Sequence, residues 1–168
     1  MPGKLIILPE HPVPDRITEK DIHDAQAAWA DAVVTVGRFR ADRAACVRTA
    51  SDALDRLYAF DETEVLFKPT RAVERPFRHC RAGALSYFVG GDPEFPEDTG
   101  FALQPWREVR FENARLRIDE HGAVAMGHYH FTGVDDQVLT VEYTLGYRPS
   151  GDGSPRIFLH HSSLPYPA

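Results

Sequence analysis

Hydrophobic positions in the first third of the chain recur with the 3.6-residue spacing of helices. The first series comprises Ile22, Ala25, Trp29, Val33 and Val36. Thr18 precedes this series as a helix N-cap, Asp21 stands at the capping-box position, and Gly37 follows its last member. The pattern therefore predicts a helix from about residue 19 to residue 37.

Two more helices and a short strand follow before the pattern changes. In the segment 41–58 the apolar residues again share one helical face, and this pattern predicts a second helix. The segment "EVLFKPT", Glu64 to Thr70, is typical of a strand that Pro69 ends. The segment "RAGALSYFVGG", residues 81–91, predicts a short helix that its two glycines terminate.

From Trp106 onwards the apolar residues alternate with period two, which predicts strands. The alternation changes parity near Asn113, so we expect a β-bulge there. Turn residues at 121–122, 134–136 and 150–153 divide the segment into an antiparallel meander of four strands. The predicted class is α+β, a curved sheet wrapped around N-terminal helices, with a proline-rich arm at 1–17 and one domain at 18–168.

Composition narrows the functional classes. A formal net charge of −6 over 168 residues disfavours nucleic-acid partners. No apolar run approaches the roughly 18 residues of a membrane span, so we expect no membrane partner. The N-terminal apolar run is too short for a secretory signal, and the expected compartment is therefore the cytoplasm.

The segment "FLHHSSLPY", residues 158–166, carries the most chemistry. Because neighbouring residues of a strand point to opposite faces, each face of the sheet receives one imidazole and one hydroxyl. One pair is His160 with Ser162, and the other is His161 with Ser163.

Alternation in the two preceding strands predicts which face is polar. His128 and His130 share a face of one strand, and Glu142 and Thr144 share a face of the next. With tight turns, Glu142 would lie opposite His128 on one side and His161 on the other. We therefore expect His161 and Ser163 to face a polar pocket, and His160 and Ser162 to lie on the apolar face.

Two alternatives remain open for this polar row. A polar face of an antiparallel sheet is usually a solvated surface. His128, His130 and His161 also form a candidate zinc set. The spacing favours a metal-free pocket, because residues two apart in a strand are about 6.5 to 7 Å apart and His161 is two strands away from His128.

The strand that carries Glu142 and Thr144 has apolar residues on its other face. This row comprises Leu139, Val141, Tyr143, Leu145 and Tyr147. An apolar row of this size on the face away from the pocket would not stay exposed on a monomer, so it predicts a homodimer formed sheet to sheet.

Six segments occur along the chain in this order: "VLFKPT", "GALSYFVGG", "GFALQPW", "AMGHYHFTG", "VEYTLGY" and "LHHSSLPY". Together they resemble the iota-class carbonic anhydrases. That class belongs to the cone-shaped folds similar to nuclear transport factor 2 and to the association domain of calcium/calmodulin-dependent protein kinase II. The similarity spans about residues 18–166, and Leu159 stands where the family pattern tends to have a third histidine.

The resemblance implies hydration of carbon dioxide to bicarbonate in a pocket between the sheet and the helices. Some members are reported to work without metal and others with zinc or manganese, so a zinc-dependent enzyme remains the alternative to a cofactor-free one. The family's threonine maps to Thr70 and its tyrosine to Tyr87, while its histidine and serine fall within residues 160–163. The face argument selects His161 and Ser163 as the catalytic pair.

The remaining polar candidates are expected to line the pocket. They are His160, Ser162, His128, His130, Glu142 and Thr144. A protein of this fold that binds a small ligand or assembles without turnover is the alternative from another functional class, since one fold hosts many activities.

Overall fold

A computed structural model describes residues 16–167, and it confirms the predicted order of helices and strands. The helices are α1 (Glu19–Arg38), α2 (Arg43–Leu57) and α3 (Arg81–Val89). The strands are β1 (Leu66–Lys68), β2 (Trp106–Asp119), β3 (Gly122–Gly133), β4 (Val138–Pro149) and β5 (Pro155–Ser163). A short 3-10 turn, Phe101–Leu103, precedes β2. Most of the predicted arm, residues 1–17, lies outside the described residues.

The five strands form one sheet in the order β1-β5-β4-β3-β2. The last four strands are the predicted antiparallel meander, and β1 adds to β5 in the parallel sense. Three helices on one sheet confirm the predicted α+β class. Within residues 16–167, no helix is both long enough and apolar enough to span a bilayer.

Local sequence signals fix the ends of the helices. The Thr18 hydroxyl accepts from the backbone N–H of Asp21 at 3.2 Å, and the Asp21 carboxylate accepts from the backbone N–H of Thr18 at 2.8 Å. This is the predicted capping box. Asp42 caps α2, and Gly90 ends α3 with φ of 64°, a conformation that glycine adopts without steric cost.

The sheet bends at the predicted bulge. The pairing of β2 with β3 shifts between Asn113 and Arg115. Opposite the bulge stands Gly127, where a Cβ would collide with the backbone oxygen of Glu112. The Asn113 amide and the Gln26 amide of α1 exchange two hydrogen bonds of 2.8 and 2.9 Å, so the bulge also ties the sheet to the helix.

The inner face of the sheet carries the hydrophobic core. Val141, Tyr143, Leu145 and Tyr147 of β4 are each at most 3% exposed and belong to the core cluster shared with the helices. The prediction that this row lies away from the pocket is therefore wrong. The helices cover the row, so it gives no reason for dimerisation, and the polar row of β3 and β4 forms the outer face instead.

Candidate active site

Strand β5 sends its two histidines to opposite sides of the sheet. His160 pairs with Leu145 and is 2% exposed, and Ser162 pairs with Tyr143 and is 1% exposed. Both side chains lie inside the core, between sheet and helices, while His161 is exposed and Ser163 half-buried on the outer face. His161 and Ser163 were expected in a pocket between the sheet and the helices, but they lie on the face of the sheet that the helices leave open.

The other polar candidates lie on the outer face with His161. His128 stands opposite Glu142 as predicted, but Glu142 pairs with Ser163, and His161 pairs with Thr144. His130 contacts the Thr140 hydroxyl at 3.0 Å and the Glu112 carboxylate at 3.2 Å. The members of this row other than His130 line an open depression of about 330 Å³ rather than an enclosed pocket.

The outer row does not assemble the predicted zinc alternative. His128 and His130 are joined to carboxylates on different strands, at 4.0 Å to Glu142 and 3.2 Å to Glu112. Among residues 16–167, no three histidine, cysteine or acidic side chains converge as a metal-binding group. Three protein ligands are the usual minimum for a catalytic zinc ion.

On the inner face, His160 occupies the centre of a hydrogen-bonded group. Its Nδ1 lies 2.8 Å from the Tyr58 hydroxyl, whose oxygen accepts from the Trp29 indole N–H at 3.0 Å. Its Nε2 lies 3.0 Å from the Ser162 hydroxyl and 3.2 Å from the Tyr129 hydroxyl. The Tyr129 and Ser162 hydroxyls also contact each other directly. Every polar atom of the ring therefore has a partner.

Aromatic rings surround His160 and keep it neutral. The ring centroids of Phe67 and Trp29 lie 4.9 and 5.7 Å from its own, and Tyr58 stacks on it at 6.0 Å. Burial, with a smaller contribution from the neighbouring His161, lowers the pKa of His160 to about 3. At neutral pH the ring is therefore unprotonated, and one of its two nitrogens is a hydrogen-bond acceptor.

Tyr87 and Thr70 complete the site from the helical side. Tyr87 lies on α3, and Thr70 follows Pro69 just after β1. Burial raises the pKa of Tyr87 to about 12, against the lowering effect of the Thr70 hydroxyl beside it. Burial also raises the pKa of Tyr129, again with Thr70 among its neighbours. The two tyrosines, Thr70 and Ser162 thus form a run of hydroxyls that ends at His160.

The Tyr87 hydroxyl is buried and makes no hydrogen bond of standard geometry within the described residues, although the Thr70 hydroxyl and the backbone of Thr70 and Arg71 lie close enough to lower its pKa. A buried hydroxyl without a well-aligned partner carries a free-energy cost of about 1 to 3 kcal/mol, which a bound water or small ligand would relieve. Tyr87 also lines a pocket of about 270 Å³ that opens to solvent beside Phe101 and Gln104. Tyr87 therefore connects this pocket with the hydroxyls of Thr70 and Tyr129.

A buried arginine fixes the loop around the opening. The Arg78 side chain, fully buried, donates to both carboxylate oxygens of Asp98 at 2.7 and 2.9 Å. Glu97 accepts from the backbone N–H groups of Val73 and Arg75, which lowers its pKa to about 2. The segment that follows β1 and the segment that precedes β2 are thus held together at the pocket edge.

Thr70 and Tyr87, which the family resemblance predicts, lie beside the hydrogen-bonded group of His160. Tyr129, Tyr58 and Trp29 also contact the group, and the sequence analysis does not predict them as site residues. Tyr129 lies on the inner face of β3 with Ala125 and Phe131, and a hydroxyl in an otherwise apolar row was the available signal.

Fold and site together define a class: a cone of helices and curved sheet that encloses a hydroxyl-rich site around one neutral histidine. The metal-independent carbonic anhydrase family matches residues 20–164. A metal-independent carbonic anhydrase from Nostoc sp. is 42% identical over 153 residues, which cover 89% of this chain and 75% of the relative. The chain belongs to the metal-independent carbonic anhydrase family.

Solved structures agree with this assignment. The iota-carbonic anhydrase from a cyanobacterium, complexed with bicarbonate, superposes with a TM-score of 0.89 at 41% identity over 96% of this chain and all of that one. A Xanthomonas campestris protein, described as a calcium/calmodulin dependent protein kinase II association domain, gives 0.60 at 21% identity over 94% and 95% of the two chains. The latter likeness shows the fold alone, and it confirms the predicted cone-shaped, nuclear transport factor 2-like class.

Proposed function

We propose that this chain hydrates carbon dioxide to bicarbonate without a metal ion, using Thr70, Tyr87, His160 and Ser162. The buried Tyr87 hydroxyl carries the proposal, because it makes no hydrogen bond of standard geometry and lies beside Thr70, where the two hydroxyls can bind a small polar ligand. The run of hydroxyls from there to His160 supplies a path for a proton. The bicarbonate held by the related cyanobacterial enzyme supports this ligand.

In the proposed reaction, a water oxygen attacks the carbon of carbon dioxide while the water loses one proton. Ser162 takes that proton as its own hydroxyl proton passes to Nε2 of His160, 3.0 Å away. This transfer uses the tautomer with a proton on Nδ1, and the Tyr58 oxygen lies 2.8 Å away to accept that N–H. The ring thus accepts the proton without direct contact with the water.

The product completes the charge balance. Bicarbonate carries one negative charge, which the hydroxyls of Thr70 and Tyr87 stabilise by donating hydrogen bonds. A bound anion also raises the pKa of His160 while it remains in the site, because it favours the protonated ring. When bicarbonate leaves, burial again disfavours the imidazolium, and the ring releases its proton.

Stopped-flow measurement with a pH indicator tests this function. The protein is dialysed against a chelator, its residual metal is counted by mass spectrometry, and proton release from dissolved carbon dioxide is followed. We expect catalysis by metal-depleted protein and its loss in the double variant Thr70→Val/Tyr87→Phe. Proton release at the uncatalysed rate by folded wild-type protein would favour the non-catalytic binding module instead.

We also propose that the chain forms a homodimer in the cytoplasm. Val124, Met126 and Val138 are exposed on the outer face of the sheet and support self-association there. The free thiols of Cys46 and Cys80 are typical of a reducing compartment. A sedimentation mass of one chain at micromolar concentration would contradict the dimer, and fractionation of cells that express the tagged chain tests the compartment.

A further inference from the structure

The opening of the site has a positively charged side chain on its rim. Arg71 follows Thr70 directly, and it lines the 270 Å³ pocket together with Tyr87. Its guanidinium lies 5.3 Å from the centre of the Phe101 ring, and that ring stacks on Tyr87 with centroids 5.5 Å apart. Stacked aromatic rings therefore hold the cation beside Tyr87, where its charge opposes the rise in the pKa of the Tyr87 hydroxyl that burial causes.

The guanidinium of Arg71 has donors to spare. One of its five N–H groups donates to the Gln104 side-chain oxygen at 2.8 Å, and the structure gives it no other hydrogen bond within residues 16–167. This single bond holds the planar group without using the rest of its fork. A planar fork of N–H donors matches the geometry of a carboxylate-like oxyanion.

The acidic residues of the same rim are already paired. Asp98 is held by both terminal nitrogens of Arg78, and the Ser86 hydroxyl donates to it at 2.6 Å. Glu97 accepts from backbone N–H groups and from Arg78 at 3.3 Å. These contacts draw the two carboxylates towards Arg78, whereas Arg71 stays exposed to the pocket.

The chain as a whole is negatively charged, and so is the product, bicarbonate. A net charge of −6 repels a small anion in general, so a local positive charge is needed where an anion must bind or pass. Carbon dioxide is uncharged and gains nothing from such a group. We propose that Arg71, positioned by Gln104 and Phe101, is the anion-recognition residue of this site and binds the bicarbonate ion at the opening.

This inference rests on the proposed function and extends it to one more residue. It predicts that Arg71→Gln raises the KM for bicarbonate in the dehydration reaction about tenfold, the loss of one charge-assisted hydrogen bond. The ratio of kcat/KM in the two directions is set by the reaction equilibrium, so kcat/KM for carbon dioxide falls by the same factor at the same pH. The inhibition constant of nitrate, a planar oxyanion that does not react, rises in parallel.

Two further variants separate the effect of the Arg71 charge from the effect of its planar shape, and both from the general effect of losing a surface arginine. Arg71→Lys keeps the charge without the fork, and its KM should lie between those of the wild type and Arg71→Gln. Arg48→Gln removes an exposed arginine on α2, remote in sequence from the pocket segments, and should leave KM and nitrate inhibition within about twofold of wild type.

The experiment compares these four proteins by stopped-flow, each checked for folding by circular dichroism. If folded Arg71→Gln has unchanged KM and nitrate inhibition while the wild type is active, the inference is overturned but the proposed function stands. An inactive wild type would overturn the proposed function itself.

If Arg71→Gln does not fold, the salt dependence of the wild-type KM tests the inference about Arg71 instead. The KM for bicarbonate should then rise with inert salt, and a salt-independent KM would overturn the inference.

Discussion

His160 and His161 are neighbours in sequence, but their side chains lie in different surroundings. His160 is enclosed by aromatic rings and has hydroxyl partners at both nitrogens, whereas His161 lies exposed on the outer face of the sheet. The same residue type is thus a buried neutral base on one side and a surface group on the other. The difference shows that burial makes His160 the candidate base of β5. Only this histidine is removed from water and hydrogen-bonded to hydroxyl groups.

The largest expected difference is between the two histidines themselves. We expect His160→Asn to lower kcat/KM for carbon dioxide by about 10²- to 10⁴-fold, because the proton acceptor is lost. His161→Asn should retain near wild-type activity. Stopped-flow hydration assays at one pH measure both variants. Equal losses in the two variants would remove the distinction between the faces.

The two serines give the same comparison at a smaller scale. Ser162→Ala removes the hydroxyl 3.0 Å from Nε2 of His160 and should lower kcat by about 10²-fold. Ser163→Ala, one residue further along β5, deletes the same atom on the outer face and should have little effect. A kcat for Ser162→Ala that matches the Ser163→Ala value would contradict the proton path.

Acid stability should also separate the two faces. The pKa of His160 is about 3 in the folded chain, against an ordinary value of 6.5, so between these values the unfolded chain binds a proton that the folded chain does not. Folding stability therefore falls as the pH falls through this window, by about 2 kcal/mol at pH 5 from this group alone. Urea unfolding at several pH values should show a shallower decline for His160→Asn than for the wild type. His161→Asn should keep the wild-type slope, and a wild-type slope in His160→Asn would contradict the assignment.

The smallest effect on kcat is expected from Tyr58, whose hydroxyl contacts Nδ1 of His160. Tyr58→Phe removes the hydroxyl next to Nδ1 and should lower kcat about tenfold, the rate equivalent of about 1.4 kcal/mol. Tyr147→Phe is the matched control, since its buried hydroxyl makes no hydrogen bond of standard geometry within the described residues and only approaches the Gln26 side chain. The two variants are compared by kcat and by thermal unfolding. A kcat loss in Tyr147→Phe as large as in Tyr58→Phe would show a general packing effect.

Local patterns were sufficient to predict the order of elements. The capping box at Thr18 and Asp21, the glycines after α3 and the change of parity at Asn113 each have a local physical cause, and the structure contains all of them. Thr70 and Tyr87 remain predictions from family resemblance, since nothing in their local sequence distinguishes them from a turn residue and a core aromatic.

The face of the sheet could not be predicted from the strands alone. Alternation shows that two faces differ, but it does not say which one the helices cover. The apolar stripe of α1, with Trp29 and Val33, has to be buried, and the apolar face of β4 is the surface that buries it. His160 and Ser162 do lie on the apolar face, as predicted. The prediction failed in expecting the pocket between the sheet and the helices on the polar face, whereas the helices cover the apolar one.

The buried Arg78 has a consequence for how fast molecules can enter and leave. The rim of the pocket is held in place because Arg78 bonds to Asp98 and Glu97 bonds to the segment after β1. Between residues 92 and 104, this rim contains only one short 3-10 turn as regular structure. We expect slow amide hydrogen exchange in this segment, unlike the fast exchange of a mobile loop. Carbon dioxide and bicarbonate are small enough to diffuse through a fixed aperture. Turnover would then be timed by proton transfer and diffusion and not by the microsecond-to-millisecond opening of a lid.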